Sequence, residues 1–282
     1  MKLGTNSYIH ISNLDLVIAL IFVAITIIVS YWQRLGLERD ITIGTVRTFL
    51  QLLTVGFVLQ QIFNAAHWAW VILALAIMTT VASHNAVKRQ AGSKQGLFII
   101  MAIAIAIAGS ITLLLVIGVI LHVRPWYQPQ YIIPIAGMII GNSMNGAALV
   151  VNRLHSELTL RRSEVEAMLA LGATTKQAAE GALRESLRTA MMPTINSMMT
   201  VGLVQLPGMM TGQIISGANP VDAVRYQIVV MLMIAAATGV TAIISAFGAL
   251  EVFFTPNHQL SPRLELGKHW DEYIAKGRKY RN

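Results

Sequence analysis

The oxygen donors Asn142, Asn145, Asn196, Thr200 and Gln205 stand inside stretches that are otherwise strongly apolar. Polar groups at such positions either line a watery path or hydrogen-bond neighbouring helices, and the residue types allow both. Beside them, six methionines form three pairs, Met191-Met192, Met198-Met199 and Met209-Met210. Thioethers could pass a soft transition metal. They also pack adaptably where helices must rearrange. A cation that prefers harder donors would use the Asn, Thr and Gln oxygens, with Met209 and Met210 near the outer mouth of the same path. No metal site is assigned: the seven histidines are scattered, cysteine is absent, and no His-Glu-x-x-His occurs. No Gly-x-x-x-x-Gly-Lys-Ser/Thr occurs either, so the chain carries no phosphate loop and needs no cofactor of its own.

The elements that must hold these groups are membrane helices. Of 282 residues, 55% are hydrophobic and only 12% charged, against about one-quarter charged in a water-soluble domain. Apolar runs place spans at 14–32, 43–63, 68–86, 97–121, 132–151, 190–206 and 220–250. The expected fold is therefore an all-α polytopic bundle of about seven transmembrane helices. The first run has no basic cluster ahead of it and no small-residue cleavage site behind it, so it reads as a retained span. The second carries Gly44, Arg47, Thr48, Gln51 and Thr54 at helical spacing, a stripe that should face protein or water rather than lipid. The fourth is almost wholly aliphatic and reads as lipid-facing. In the fifth, Gly137, Gly141, Asn145, Ala148 and Asn152 fall on one side, and the glycines Gly137 and Gly141 are expected to let helices approach closely. Pro207-Gly208 should break the sixth, with a loop or re-entrant turn running to Gly217. Asn219 and Pro220 restart a helix.

The formal charge is +8. All but Lys2, Arg124 and Arg225 of the Lys and Arg residues fall on one side of a seven-span topology, which predicts the N-terminus outside and the C-terminus inside. Charges placed at membrane flanks argue for lipid headgroups and against nucleic acid. The membrane-spanning domain is then 1–254, followed by a basic cytoplasmic tail at 255–282.

Residues 152–188 form a charged island between spans five and six. It holds Arg153, Arg161, Arg162, Lys176, Arg184 and Arg188 with Glu157, Glu164, Glu166, Glu180 and Glu185. Ser163 and Glu166 have the spacing of a capping box ahead of a short helix, which Gly172 should stop. Thr174 and Gln177 make a second box, and a new helix then presents Ala178, Ala182, Leu183, Ser186 and Ala190 for packing. Such a helical corner suits a partner protein's grip, or rests on the lipid surface.

Glu166-Ala167-Met168-Leu169-Ala170-Leu171-Gly172-Ala173-Thr174 resembles the coupling loop of ATP-binding-cassette (ABC) permeases, although the Leu-Pro of that loop is missing and the next proline is Pro193. Over nearly the whole length, through 133–142, 201–212 and 226–228, the chain resembles the FetB-type permease family. The resemblance implies the membrane subunit of a bacterial ABC exporter for iron or another metal, in the cytoplasmic (inner) membrane. It further implies a homodimer and a separate FetA-type ATPase that binds ATP and Mg. Glu164, Glu166, Ala167, Met168, Leu171, Gly172, Ala173 and Thr174 would then meet that ATPase. Plant relatives are tied to aluminium tolerance and nucleotide-sugar transport, so a larger polar solute is the alternative cargo. A membrane receptor or scaffold that recruits a cytoplasmic partner is the alternative without transport.

Overall fold

In the computed structural model, residues 12–261 are described apart from 66, 89 and 91–95. The described chain is helical: α1 (Asn13–Trp32), α2 (Glu38–Ala65), α3 (Trp68–Lys88), α4 (Leu97–Leu114) with a π-helical extension (Leu115–Ile120), α5 (Pro129–Leu160), α6 (Arg162–Ala170), α7 (Thr175–Ala178), α8 (Glu180–Thr200), α9 (Gly208–Ile215) and α10 (Pro220–Phe253). Local chemistry explains several starts. Ser12 and Asp15 make a reciprocal capping box on α1. The side-chain oxygen of Asn219 accepts from the Val221 amide at 2.9 Å, with Pro220 pre-set in the first turn of α10.

Among the described residues six helices are long and apolar enough to cross a membrane: α1, α2, α3, α4 with its extension, α5 and α10. The expected sixth span differs. Its helix, α8, begins in the island at Glu180 and ends at Thr200, where a tight turn with Gly202 at φ +83° takes over. After the charged first half only about twelve residues remain, ~18 Å of helix at 1.5 Å per residue, short of a ~30 Å hydrocarbon core. The stretch after Pro207, expected as a loop or re-entrant turn, forms the short helix α9.

The bundle is centred on α5 and α10, which share the most extensive contact. They run parallel: Gly146 lies against Thr238 and the His155 ring against the Phe253 ring. The chain between them must therefore return to the opposite end, and α8, the turn and α9 make that return leg. The fourth span is lipid-facing on one side only. The other face of α4 is buried against α5 and α10 (Leu97, Met101, Ile105, Ala108), where the small Ala104, Ala108 and Gly109 allow close approach. Ala106, on the other side, is exposed. By contrast, α1 and α2 chiefly touch one another. The polar stripe of α2 (Gly44, Arg47, Thr48, Gln51, Thr54) stays uncovered by the chain's own helices.

Beyond α10 the first residues of the tail fold back: the Ser261 amide donates to the Phe253 carbonyl at 2.8 Å, and Leu260 packs on the core. The remaining tail, 262–282, lies outside the described residues.

Candidate functional site

The island is a built structure rather than a slack loop. Helix α5 continues out of the bundle to Leu160 and, after a bend at Arg161, gives way to α6. Glu157 anchors the bend. Its side chain is only 6% exposed and takes Arg153 at 2.8 Å and Arg161 at 2.9 Å. Arg153 also reaches Glu185 of α8 at 3.8 Å, which ties the exit of α5 to the entry of α8. A carboxylate this buried is tolerable because two guanidinium groups replace its water.

The predicted capping box at Ser163 does not form. The helical ladder already claims the first turn of α6, where the Val165 amide bonds to the Arg161 carbonyl. Glu166 turns instead to the Arg162 guanidinium at 2.7 Å. Val165 is buried and Met168 and Leu169 pack on the core, as the spacing predicts. Gly172 stops α6 at φ +89°. The Ala173 amide bonds to the Met168 carbonyl and the Gly172 amide to the Leu169 carbonyl, the paired bonds of a Schellman end. The Thr174–Gln177 box does form, at 2.9 and 3.3 Å. Ala178, Ala182, Leu183, Ser186 and Ala190 are all buried. The Lys176 ammonium lies 5.6 Å from the Phe247 ring centroid, so α7 is braced against α10.

The corner presents Glu164, Glu166, Ala167, Leu171, Gly172 and Thr174 to the exterior, with Met168 and Ala173 half-buried. Leu171 is 89% exposed. A shallow groove of about 270 Å³ runs between α6 and the start of α8, with Arg161, Glu164, Glu180 and Arg184 on its walls and Val165 and Ala182 in its lining. A charged rim with an apolar floor has the composition of a protein contact.

A second site lies between α5, α8 and α10. Asn142 and Asn145 line a cavity of about 290 Å³ with Thr194, Ser197 and Thr238. The other three predicted oxygens are elsewhere. Asn196 is exposed outside this cavity. The Thr200 hydroxyl bonds back to the Asn196 carbonyl at 2.9 Å, and Gln205 reaches over the turn to the Ser197 hydroxyl at 3.1 Å. Asn196 lies on the outer side of α8, and the early end of the helix leaves Thr200 as its last residue and Gln205 in the turn beyond. Thr194, Ser197 and Thr238 were missed, although Thr194 and Ser197 sit on α8 about one and two turns beyond the inward-facing Ala190 and are legible as its inward face.

The methionines disperse: Met191 packs at Gly239, Met209 joins an apolar cluster of the core, and Met198 and Met210 line a separate cavity of about 290 Å³ beside Gln227. Among the described residues no group of three His, Asp or Glu could hold a metal ion. The expected close approach at Gly141 is absent, since nothing lies within 4 Å of where its Cβ would be. Gly137 meets only the end of Met78, at 3.4 Å. Helix contact is tight instead at Gly146, against Thr238, and at Gly248, against Ile100.

The comparisons agree with this architecture. The chain is 42% identical over 239 residues to the UPF0014 membrane protein STAR2 of Oryza sativa subsp. japonica, covering 85% of this chain and 82% of that one. It is 40% identical over 242 residues to the protein ALUMINUM SENSITIVE 3 of Arabidopsis thaliana, covering 86% and 87%. It is 38% identical over 251 residues to the probable iron export permease protein FetB of Escherichia coli K12, covering 89% and 95%. No solved structure matches the chain. A profile described as "Uncharacterised protein family (UPF0014)" matches residues 13–254, from the first residue of α1 to the residue after α10. With six helices long and apolar enough to span a membrane, their charged island and the matched length in one continuous stretch, this polytopic membrane protein belongs to the UPF0014 family.

Proposed function

We propose that this protein is the membrane-spanning permease of an ABC exporter, driven by a separate ATPase chain and moving iron or another metal ion out of the cytoplasm. The observation that carries the proposal is the braced corner at Leu171-Gly172. A projecting helix end whose Val165, Met168 and Leu169 pack on the core, beside the Arg153–Glu185 pair that ties α5 to α8, can transmit a partner's motion into the two helices that line the Asn142–Asn145 cavity. Slack loops cannot do this. The name of the Escherichia coli relative supports the cargo. The uncovered polar stripe of α2 supports two copies side by side, since Arg47 and Gln51 are costly against lipid. ATP and Mg belong to the partner, and the ATPase face sits in the cytoplasm of a bacterium whose inner membrane holds the permease.

The test is co-purification. The chain expressed with its cognate ATPase should bring it down and raise its ATP hydrolysis, and a deletion strain should accumulate the exported metal. Glu166→Lys should remain membrane-inserted while losing the ATPase. An ATPase that neither binds nor responds refutes the proposal. Binding without any change in cellular metal would leave a recruiting scaffold, or a different polar cargo.

A further inference from the structure

Most hydroxyls on these helices spend themselves on their own backbone, as expected where water is absent. Thr48 bonds to the Gly44 carbonyl at 2.8 Å, Thr80 to Ala76 at 2.8 Å, Ser83 to Thr79 at 2.7 Å and Ser186 to Ala182 at 2.6 Å. Four hydroxyls at the centre of the bundle do not. Ser143 on α5 and Thr238, Thr241 and Ser245 on α10 are at most 2% exposed, and their oxygens have no hydrogen-bonding partner among the described residues. Gln227, earlier on α10, leaves its side-chain oxygen unpartnered as well.

These groups are ordered in space. At ~100° per residue, Gln227, Thr238, Thr241 and Ser245 fall within about a sixth of the circumference of α10, along ~27 Å of its axis. Thr238 opens into the Asn142–Asn145 cavity, Gln227 lines the neighbouring one, and Met231 borders both. Ser143 is on the α5 face that carries Gly146, the residue pressed against Thr238. A buried hydroxyl without a partner is destabilising, and four on one seam would be a heavy load for a helix pair to carry dry.

We infer that the α5–α10 seam is a hydrated lane: Ser143, Thr238, Thr241 and Ser245 bind a file of internal water molecules. Joined to the two cavities, that file makes α10 the third wall, beside α5 and α8, of an oxygen-lined route inside a single copy of the chain. Neutral hydroxyl and carboxamide oxygens without a carboxylate suit a solute that keeps part of its water shell. The inference stands independently of the ATPase, because it concerns what satisfies these atoms in the folded chain.

Solid-state NMR of the full chain in lipid bilayers tests it through magnetisation transfer from water to side-chain methyls. The Thr238 and Thr241 methyls should build up several-fold faster than that of Ile107, on the exposed face of α4. Build-up as slow as at Ile107 overturns the lane. Thr241→Val gives a second reading whose sign decides. If the hydroxyl holds water, the isosteric valine lowers the thermal midpoint by a few degrees. If the seam is dry, losing an unpartnered oxygen leaves the midpoint unchanged or raises it, and the inference fails.

Discussion

Gly146→Ala probes the central contact of the bundle with the smallest possible change. A Cβ there would stand 2.7 Å from Thr238 Cγ2 and 3.5 Å from the Thr238 carbonyl. Carbon atoms are comfortable at about 3.5–4.0 Å, so α5 and α10 must separate by roughly 1 Å or Thr238 must turn. Turning is restricted, because a β-branched side chain on a helix has few χ1 choices. Overpacking of this kind costs ~1–3 kcal/mol, partly offset by the ~0.5–1 kcal/mol that alanine gains over glycine in a helix. The net loss is ~0.5–2 kcal/mol, and at about 2–4 °C per kcal/mol the midpoint should fall by roughly 1–8 °C in a thermal unfolding assay of the lipid-embedded protein. Gly141→Ala is the control. Its Cβ would meet nothing within 4 Å, so the propensity gain should leave the midpoint unchanged or slightly raised. Thr238→Ser removes the offending methyl and keeps the hydroxyl, so it should restore most of the loss in the Gly146→Ala background, as a coupling between touching sites requires. A Gly146→Ala protein as stable as wild type, or a loss that Thr238→Ser does not relieve, would refute the close-packing argument.

Two further outcomes follow from the island. Gly172→Ala forces an L-residue to φ +89°, costing ~1–2 kcal/mol, and should misdirect the corner: the ATPase captured on co-purification should fall sharply while the chain stays membrane-inserted. Glu157→Gln leaves Arg153 and Arg161 without their shared carboxylate. The two arginines are 40% and 43% exposed and stay hydrated, so the loss in thermal unfolding should fall below the ~3–5 kcal/mol of a fully buried pair. Glu180→Gln, from the well-exposed pair with Arg184, should change the midpoint by less than the equivalent of about 1 kcal/mol.

Much of this protein was determined one segment at a time. Five of the expected spans were legible from apolar runs bounded by Ser12, Asn219 and flanking charge, and a sixth, at 97–121, was right in extent though not in surroundings. Gly172 and the Thr174–Gln177 box act over three or four residues, so the island's corner could be read without knowing its neighbours. What depended on partners distant in sequence could not. Ser163 fails as a cap because α5 and α6 nearly join, and Glu166 finds Arg162 instead. Glycine spacing along α5 marked Gly137 and Gly141, but a helix periodicity does not say which turn a neighbour crosses, and the crossing with α10 is at Gly146. The same limit hid the wall of α10. Thr238, Thr241 and Ser245 are unremarkable hydroxyls in an apolar run until the parallel packing of α5 buries them, because a polar atom's environment is set by the helix it faces and not by the residues beside it in the chain.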